Sequence, residues 1–279
     1  MLCLFVKIRG KMKLFDTHAH YDDMRFETEY EGGRHQAIND QLNDCVGYIV
    51  NIGTSLETSK KAIEIALRHD NVYATVGIHP TECGSLEEVD KILSEIEDFF
   101  LFRRVVALGE IGLDYHWDTV PRDIQLLYFR KQMELARKLK VPVVIHDREA
   151  HGDCLDMIKQ FPDVTGIFHS FSGSCEMAKE LVSLGWYISF SGTVTYKNAK
   201  QPKEACKVVP SDRILIETDA PYLPPVPHRG ELNRSSYMRF TAQAIAEERG
   251  VSIEEIERIT TENAIRVFRL KQNQKSDLF

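Results

Sequence analysis

The sequence predicts an α/β architecture, a (β/α)8 TIM barrel extended by two C-terminal helical segments, and three observations carry that prediction. Eight short apolar, β-branched runs alternate with stretches of helical periodicity, the pattern of parallel strands joined by crossover helices. Five runs stop at a His or a carboxylate, in FDTHAH, VVALGEIGLD, VPVVIHD, GIFHSF and RILIETDAP, as barrel strands do when they deliver side chains to one rim. The length, 279 residues, suits one barrel of roughly 250 residues better than two domains.

The strands are expected at 13–17, 46–52, 72–77, 104–109, 141–145, 165–168, 186–190 and 213–217. The intervals between them leave room for right-handed βαβ units. Leu86, Val89, Ile92, Leu93 and Ile96 form one apolar helical stripe, and Leu126, Phe129, Met133, Leu135 and Leu139 another. After the eighth strand the proline-rich DAPYLPPVPHRGELN reads as a stiff loop bordering the site. Helices are expected at 234–249 and 252–269, the second opening with Ser252 and Glu255 at capping-box spacing. Residues 12–269 form the expected barrel domain and 270–279 a polar tail. Residues 1–11 read equally as an extension from an upstream start codon or as part of the fold.

At 43% hydrophobic and 28% charged residues, the composition is that of a globular protein with a large core. Cys3, Cys45, Cys83, Cys154, Cys175 and Cys206 are scattered without a C-x-x-C pair, which argues against a zinc ribbon or disulfide framework and fits a reducing cytoplasm. The opening MLCLFVKIRGK is too short for a secretory signal, and no run of 18 apolar residues occurs. A cytoplasmic protein without a membrane partner is expected, with a monomer favoured. The net charge of -7 opposes coating nucleic acid by bulk electrostatics but permits a local basic rim. No G-x-S-x-G elbow, P-loop or dinucleotide fingerprint is present, which disfavours serine hydrolase, NTPase and dehydrogenase readings.

The candidate ligands are His18, His20, Glu110, His146, His169 and Asp219. On a strand, residues i and i+2 share a face, so His18 and His20 can reach one ion. A carboxylate such as Glu110 at the end of VVALG would be costly to bury without a cation or donors. Singly, His146 and His169 also read as satisfied core or rim histidines, and Asp219 as a turn cap. Together, four imidazoles and two carboxylates make an N/O site for divalent ions such as Zn²⁺, Mn²⁺ or Mg²⁺, too large for one tetrahedral ion.

FDTHAHYDD, VGIHPTE, GEIGLDYHWD, IHDREA, FHSFSG and ETDAPYLPPVPHRGELN, in that order, resemble the signature blocks of the TatD family of metal-dependent hydrolases, within the amidohydrolase-like barrels. The resemblance runs from about Met12 to Phe268. It implies two divalent metal ions, one on His18, His20 and Asp219, the second on His146 and His169, with Glu110 shared. It also implies divalent-metal-dependent deoxyribonuclease or phosphoesterase activity. A related barrel group bridges its metals with a carboxylated lysine where this chain has Glu110, with no lysine nearby. GELNRSSY departs from the family pattern, in which a proline commonly follows the Asn-acidic pair.

Around this set, the resemblance places His79 on the substrate phosphate or leaving group; as a residue it also reads as a structural His before a proline. Arg148 and Arg229 are either forked phosphate donors or solvated rim charges. Tyr115, His116 and Tyr222 either stack on a base or pack under a loop. Asn233 bonds the substrate or caps the helix after it. The expected reaction is attack of a metal-activated hydroxide on a DNA phosphodiester, with Glu110 at the centre, Asp219 as general base and His79 aiding the leaving oxygen. Action is expected 3′ to 5′ on single-stranded ends. Two rivals remain at this level: an ester or amide hydrolase, such as an aminoacyl-tRNA deacylase or a cyclic amidohydrolase, and a binding module without catalysis.

Overall fold

A computed structural model describes residues 13–117 and 119–270. The expected extension at 1–11 and all but the first residue of the expected tail lie outside the described residues. Eight parallel strands follow in chain order: β1 Leu14–Ala19, β2 Val46–Ile52, β3 Val72–Val76, β4 Val105–Asp114, β5 Val143–Arg148, β6 Gly166–Phe168, β7 Tyr187–Phe190 and β8 Ile214–Ile216. Each hydrogen-bonds its sequence neighbour. Closure falls between β1 and the chain just past β8: Ala19 bridges Ala220, Asp219 N–H donates to the His18 carbonyl at 2.9 Å, and His20 N–H donates to the Ala220 carbonyl at 2.6 Å. The predicted TIM barrel is therefore the fold.

Inside the barrel, Phe15, Val50, Ile52, Ala107, Val144, Ile167 and Leu215 pack together, all but fully buried. Phe268, from the end of the last helix, stacks on Phe15 with ring centroids 6.0 Å apart. A second apolar layer lies between strands and helices. Each large aliphatic side chain buried there contributes about 1.5–3 kcal/mol relative to exposure. The helix Arg122–Leu139 buries Phe129, Met133 and Leu135 as the periodicity predicts. The helix Val89–Phe99 buries Val89, Leu93 and Ile96, but Leu86 precedes it and is 54% exposed. The C-terminal helices are Met238–Arg249 and Ile253–Val267, and Ser252 accepts from the Glu255 N–H to cap the second. No helix among the described residues is long and apolar enough to cross a membrane.

The fourth strand is the main departure from expectation. It continues beyond 109 to Asp114, so Glu110 lies within it. Registers shift on β1 between Asp16 and Ala19 and on β4 between Leu108 and Ile111. Perfect alternation would put Phe15 and His18, or Ala107 and Glu110, on opposite faces, because one residue of slip inverts side-chain direction. The shifts let Phe15 and Ala107 fill the barrel while His18 and Glu110 also turn inward. On β5 and β6 no shift is needed: Val144 and His146, or Ile167 and His169, are two apart.

Candidate metal centre

All six candidate ligands meet at the C-terminal mouth of the barrel. His18 Nε2 and His20 Nε2 lie 3.1 Å apart. Asp219 Oδ1 is 3.7 Å from the first and 3.4 Å from the second. Glu110 Oε2 is 3.5 and 3.8 Å from the same two nitrogens. Its other oxygen, Oε1, lies 2.8 Å from His146 Nδ1 and 2.8 Å from His169 Nε2, which are 3.3 Å from each other. Glu110 thus turns one carboxylate oxygen to each histidine pair.

The residues fit divalent cations. Ligands of a tetrahedral ion with bonds of about 2.0–2.1 Å lie about 3.3 Å apart, close to the spacing found here. All these side chains are largely withdrawn from water. Burial opposes the Glu110 carboxylate, but His169 and His18 beside it hold it well below the usual carboxylate range. Burial likewise opposes a charged His20, yet Asp219, Glu110 and Asp22 lift it to about 9. In His169, Glu110 and Glu217 outweigh burial and raise the imidazole well above its ordinary value. Protons on these rings balance the carboxylates, and a cation taking their place releases them.

Backbone geometry positions the set. Asp219 adopts φ 58°, a left-handed conformation that Asp tolerates better than most residues, and its backbone is pinned by the bond to His18 and by the Tyr222 N–H at 2.8 Å. Two carboxylates that the sequence reading missed orient the histidines, as outer carboxylates commonly do at metal sites. Glu217 Oε1 lies 3.2 Å from His169 Nδ1 and accepts from the Ser170 N–H at 2.8 Å. Asp114 Oδ2 lies 2.9 Å from His146 Nε2. Glu217 was legible as an acid two residues before Asp219, and Asp114 as a second acid four residues after Glu110.

Beyond the ligands, a cavity of about 650 Å³ opens, lined by His79, Asp114, Trp117, Arg148 and Tyr222 among others. The His79 Nδ1 accepts from the Thr81 N–H, which leaves the Nε2 proton of the neutral ring facing Glu110 Oε1 at 3.8 Å. Burial and His146 push its pKa down to about 3, so the neutral ring is held. With its proton on Nε2 the ring donates toward the cavity and does not ligate, although His79, Asp114 and His146 also bring three ligand atoms within 4.8 Å of one another. His79→Ala should therefore leave bound metal unchanged while turnover falls roughly 10- to 150-fold, the worth of one hydrogen bond to a charged group. Metal analysis alongside kinetics checks this, and a drop in bound metal would overturn the placement.

Three expected substrate contacts are placed differently. Asn233 is fully buried; its amide donates to the carbonyls of Thr218 at 2.9 Å and Tyr222 at 2.6 Å, and its oxygen accepts from the Arg234 N–H. It pins the loop after β8, with no donor left for substrate, and it caps no helix, since the 3-10 turn Ser235–Tyr237 that follows starts from Arg234. Tyr115 gives its hydroxyl to Asp153 at 2.5 Å beneath the Arg122 guanidinium, and it does not line the cavity among the described residues. Arg229 lies over the Tyr196 ring at 4.1 Å, also off the cavity wall. Arg148 does line it.

Comparison with known proteins shows the family. Residues 15–269 match the family model described as TatD related DNase. The chain is 43% identical over 259 residues to the uncharacterized metal-dependent hydrolase YabD of Bacillus subtilis, covering 92% of this chain and 99% of that one. It is 35% identical over 268 residues to the uncharacterized metal-dependent hydrolase YcfH of Escherichia coli K12, covering 93% and 97%. The crystal structure of YJJV, a TatD homologue from Escherichia coli K12, superposes with a TM-score of 0.81 at 29% identity, covering 92% of this chain and 98% of that one. The chain belongs to the TatD family of metal-dependent hydrolases.

Proposed function

We propose that this protein hydrolyses phosphodiester bonds of DNA, acting 3′ to 5′ from single-stranded or frayed ends in preference to intact duplex. The observation that carries the reading is a two-sided carboxylate, Glu110, at the floor of a polar cavity with Arg148 and Lys61 on its wall. Two divalent ions bound there would supply Lewis acidity toward a phosphoryl oxygen and acidify a water. His18, His20 and Asp219 would hold one ion, His146 and His169 the other, and Glu110 both. Asp219 borders the cavity and takes the proton of the attacking water. His79 stabilises the departing oxygen with a hydrogen bond from its Nε2–H, that oxygen receives the proton held by Asp219, and Arg148 offers a fork to a non-bridging oxygen. Asp114 and Glu217 keep the His146 and His169 rings in register.

The preference for ends follows from shape and charge. Duplex DNA is stiff over about 50 nm and cannot lower an internal phosphate into a recessed cavity, whereas a flexible end can enter. With a net charge of -7 the surface gives little counterion release for holding a duplex. Metal-free protein reconstituted with Mg²⁺, Mn²⁺, Zn²⁺ or Co²⁺ should cleave linear single-stranded DNA much faster than a covalently closed single-stranded circle. Equal rates would mean that internal phosphates reach the centre. Turnover of aminoacyl esters or cyclic amides, with none of DNA, would replace the nuclease reading.

A further inference from the structure

The geometry points to Trp117 as a stacking platform for the nucleobase next to the scissile phosphate. This assignment rests on the phosphodiesterase reading and names the part of the substrate recognised beside the phosphate. The chain has two tryptophans. Trp186 is core, 1% exposed and edge-on to Phe168. Trp117 is 53% exposed on the wall of the cavity that holds the candidate ligands. A side chain able to bury 150–250 Å² gains little from standing in water, and among the described residues Trp117 belongs to neither apolar core cluster.

What sets Trp117 apart from other exposed apolar residues is its tether. Asp114 Oδ1 accepts from the backbone N–H groups of His116 and Trp117, both at 3.0 Å. The other oxygen of the same carboxylate lies 2.9 Å from His146 Nε2. One side chain therefore fixes both the turn that carries the indole and a candidate ligand, so the ring is registered to the metal centre. Arg148, two residues beyond His146 on β5, sets its guanidinium over one face of the indole, 5.5 Å from the centroid, and His116 makes a T-shaped contact with the ring at 4.9 Å. Tyr222, the other exposed aromatic on the wall, has the Arg25 guanidinium at 4.4 Å over its ring and its hydroxyl on Asp23 at 2.8 Å. Both rings carry a guanidinium, but the one over Trp117 stands farther off, and Trp117 is the more exposed, 53% against 45%. A base lying on the face away from Arg148 leaves that guanidinium for the adjoining phosphate, a combination that tolerates any base because each has a π-face.

Intrinsic fluorescence reads this site directly, since Trp186 is buried. In metal-loaded protein, thymidine 5′-monophosphate should quench emission saturably, deoxyribose 5-phosphate should not, and Trp117→Phe should remove the response. In turnover, compare kcat/KM on single-stranded oligothymidylate with that on an abasic phosphodiester oligomer of equal length. That ratio should fall roughly 5- to 150-fold in Trp117→Ala, mostly through KM, the range expected for one base stacked on an aromatic ring. Trp117→Phe should restore most of it. Equal quenching by the two phosphates, quenching that survives Trp117→Phe, or an unchanged ratio in Trp117→Ala overturns the assignment. If the wild type turns over neither oligomer with any divalent ion, the phosphodiesterase reading falls, and the fluorescence comparison alone decides Trp117.

Discussion

Glu110→Gln should abolish turnover and lower the occupancy of both metal positions together. The side chain is 3% exposed, and each of its oxygens faces a different histidine pair. Glutamine keeps the shape but replaces one oxygen with an NH₂ group, a donor that cannot ligate. Whichever way the amide turns, one side loses its oxygen and the other loses the negative charge. The loss in kcat/KM should exceed the roughly 10- to 100-fold that outer-shell partners cost. Metal analysis of the purified variant, with kinetics on single-stranded DNA, checks both parts. Retention of one full equivalent while the other disappears would show that Glu110 serves a single ion.

Much of this centre was legible in the sequence because three strand ends obey simple alternation. Val144 and His146, or Ile167 and His169, sit two apart, so an apolar interior position is followed by a functional one on the same face. Leu215 leads in the same way through Glu217 to Asp219. On β1 and β4 the residues were found from their place at the end of an apolar run and, for His18 and His20, from H-x-H spacing, but the register shifts that let Phe15 and His18, or Ala107 and Glu110, face the same way three residues apart were not foreseen. Asp114 was missed for another reason. Reading for a short β-branched run ended the fourth strand at 109, whereas the strand runs five residues further and delivers two carboxylates.

Loop side chains were the hardest to read, since their roles depend on partners distant in sequence. Tyr115 and Trp117 are neighbours in one short turn, yet Tyr115 is taken by Asp153 and Arg122 while Trp117 borders the cavity. Nothing local in GLDYHWD distinguishes the two. Asn233 follows the same logic: its three partners lie on the loop after β8 and beside it in the chain, and they are brought together only by the turn of Pro221–Asn233. Burial then converts a residue that reads as a substrate contact into a fastener.

Gly112→Ala should destabilise the fold and disable the centre at once. Gly112 stands on β4 between Glu110 and Asp114 and pairs with His146 of β5. Its φ is 139°, and an added Cβ would lie 2.0 Å from the His146 carbonyl oxygen, a backbone atom that cannot rotate aside. Relief requires β4 to move away from β5 where the two strands present Glu110, Asp114 and His146. A strained φ costs about 1–3 kcal/mol and an inserted methyl in a packed interior about 1–3 kcal/mol more, together a large share of the 5–15 kcal/mol that holds a typical domain folded. Gly152, in the helix His151–Lys159, is the matched control, because nothing lies within 4 Å of its added Cβ. Gly152→Ala should leave turnover intact and stabilise by about 0.5–1 kcal/mol, since alanine loses less chain entropy on folding than glycine. Denaturant unfolding of the two variants separates the cases. If Gly112→Ala unfolds within about 1 kcal/mol of the wild type with full activity, β4 is free to yield at this point, and the close pairing of Gly112 with His146 is not what sets the centre.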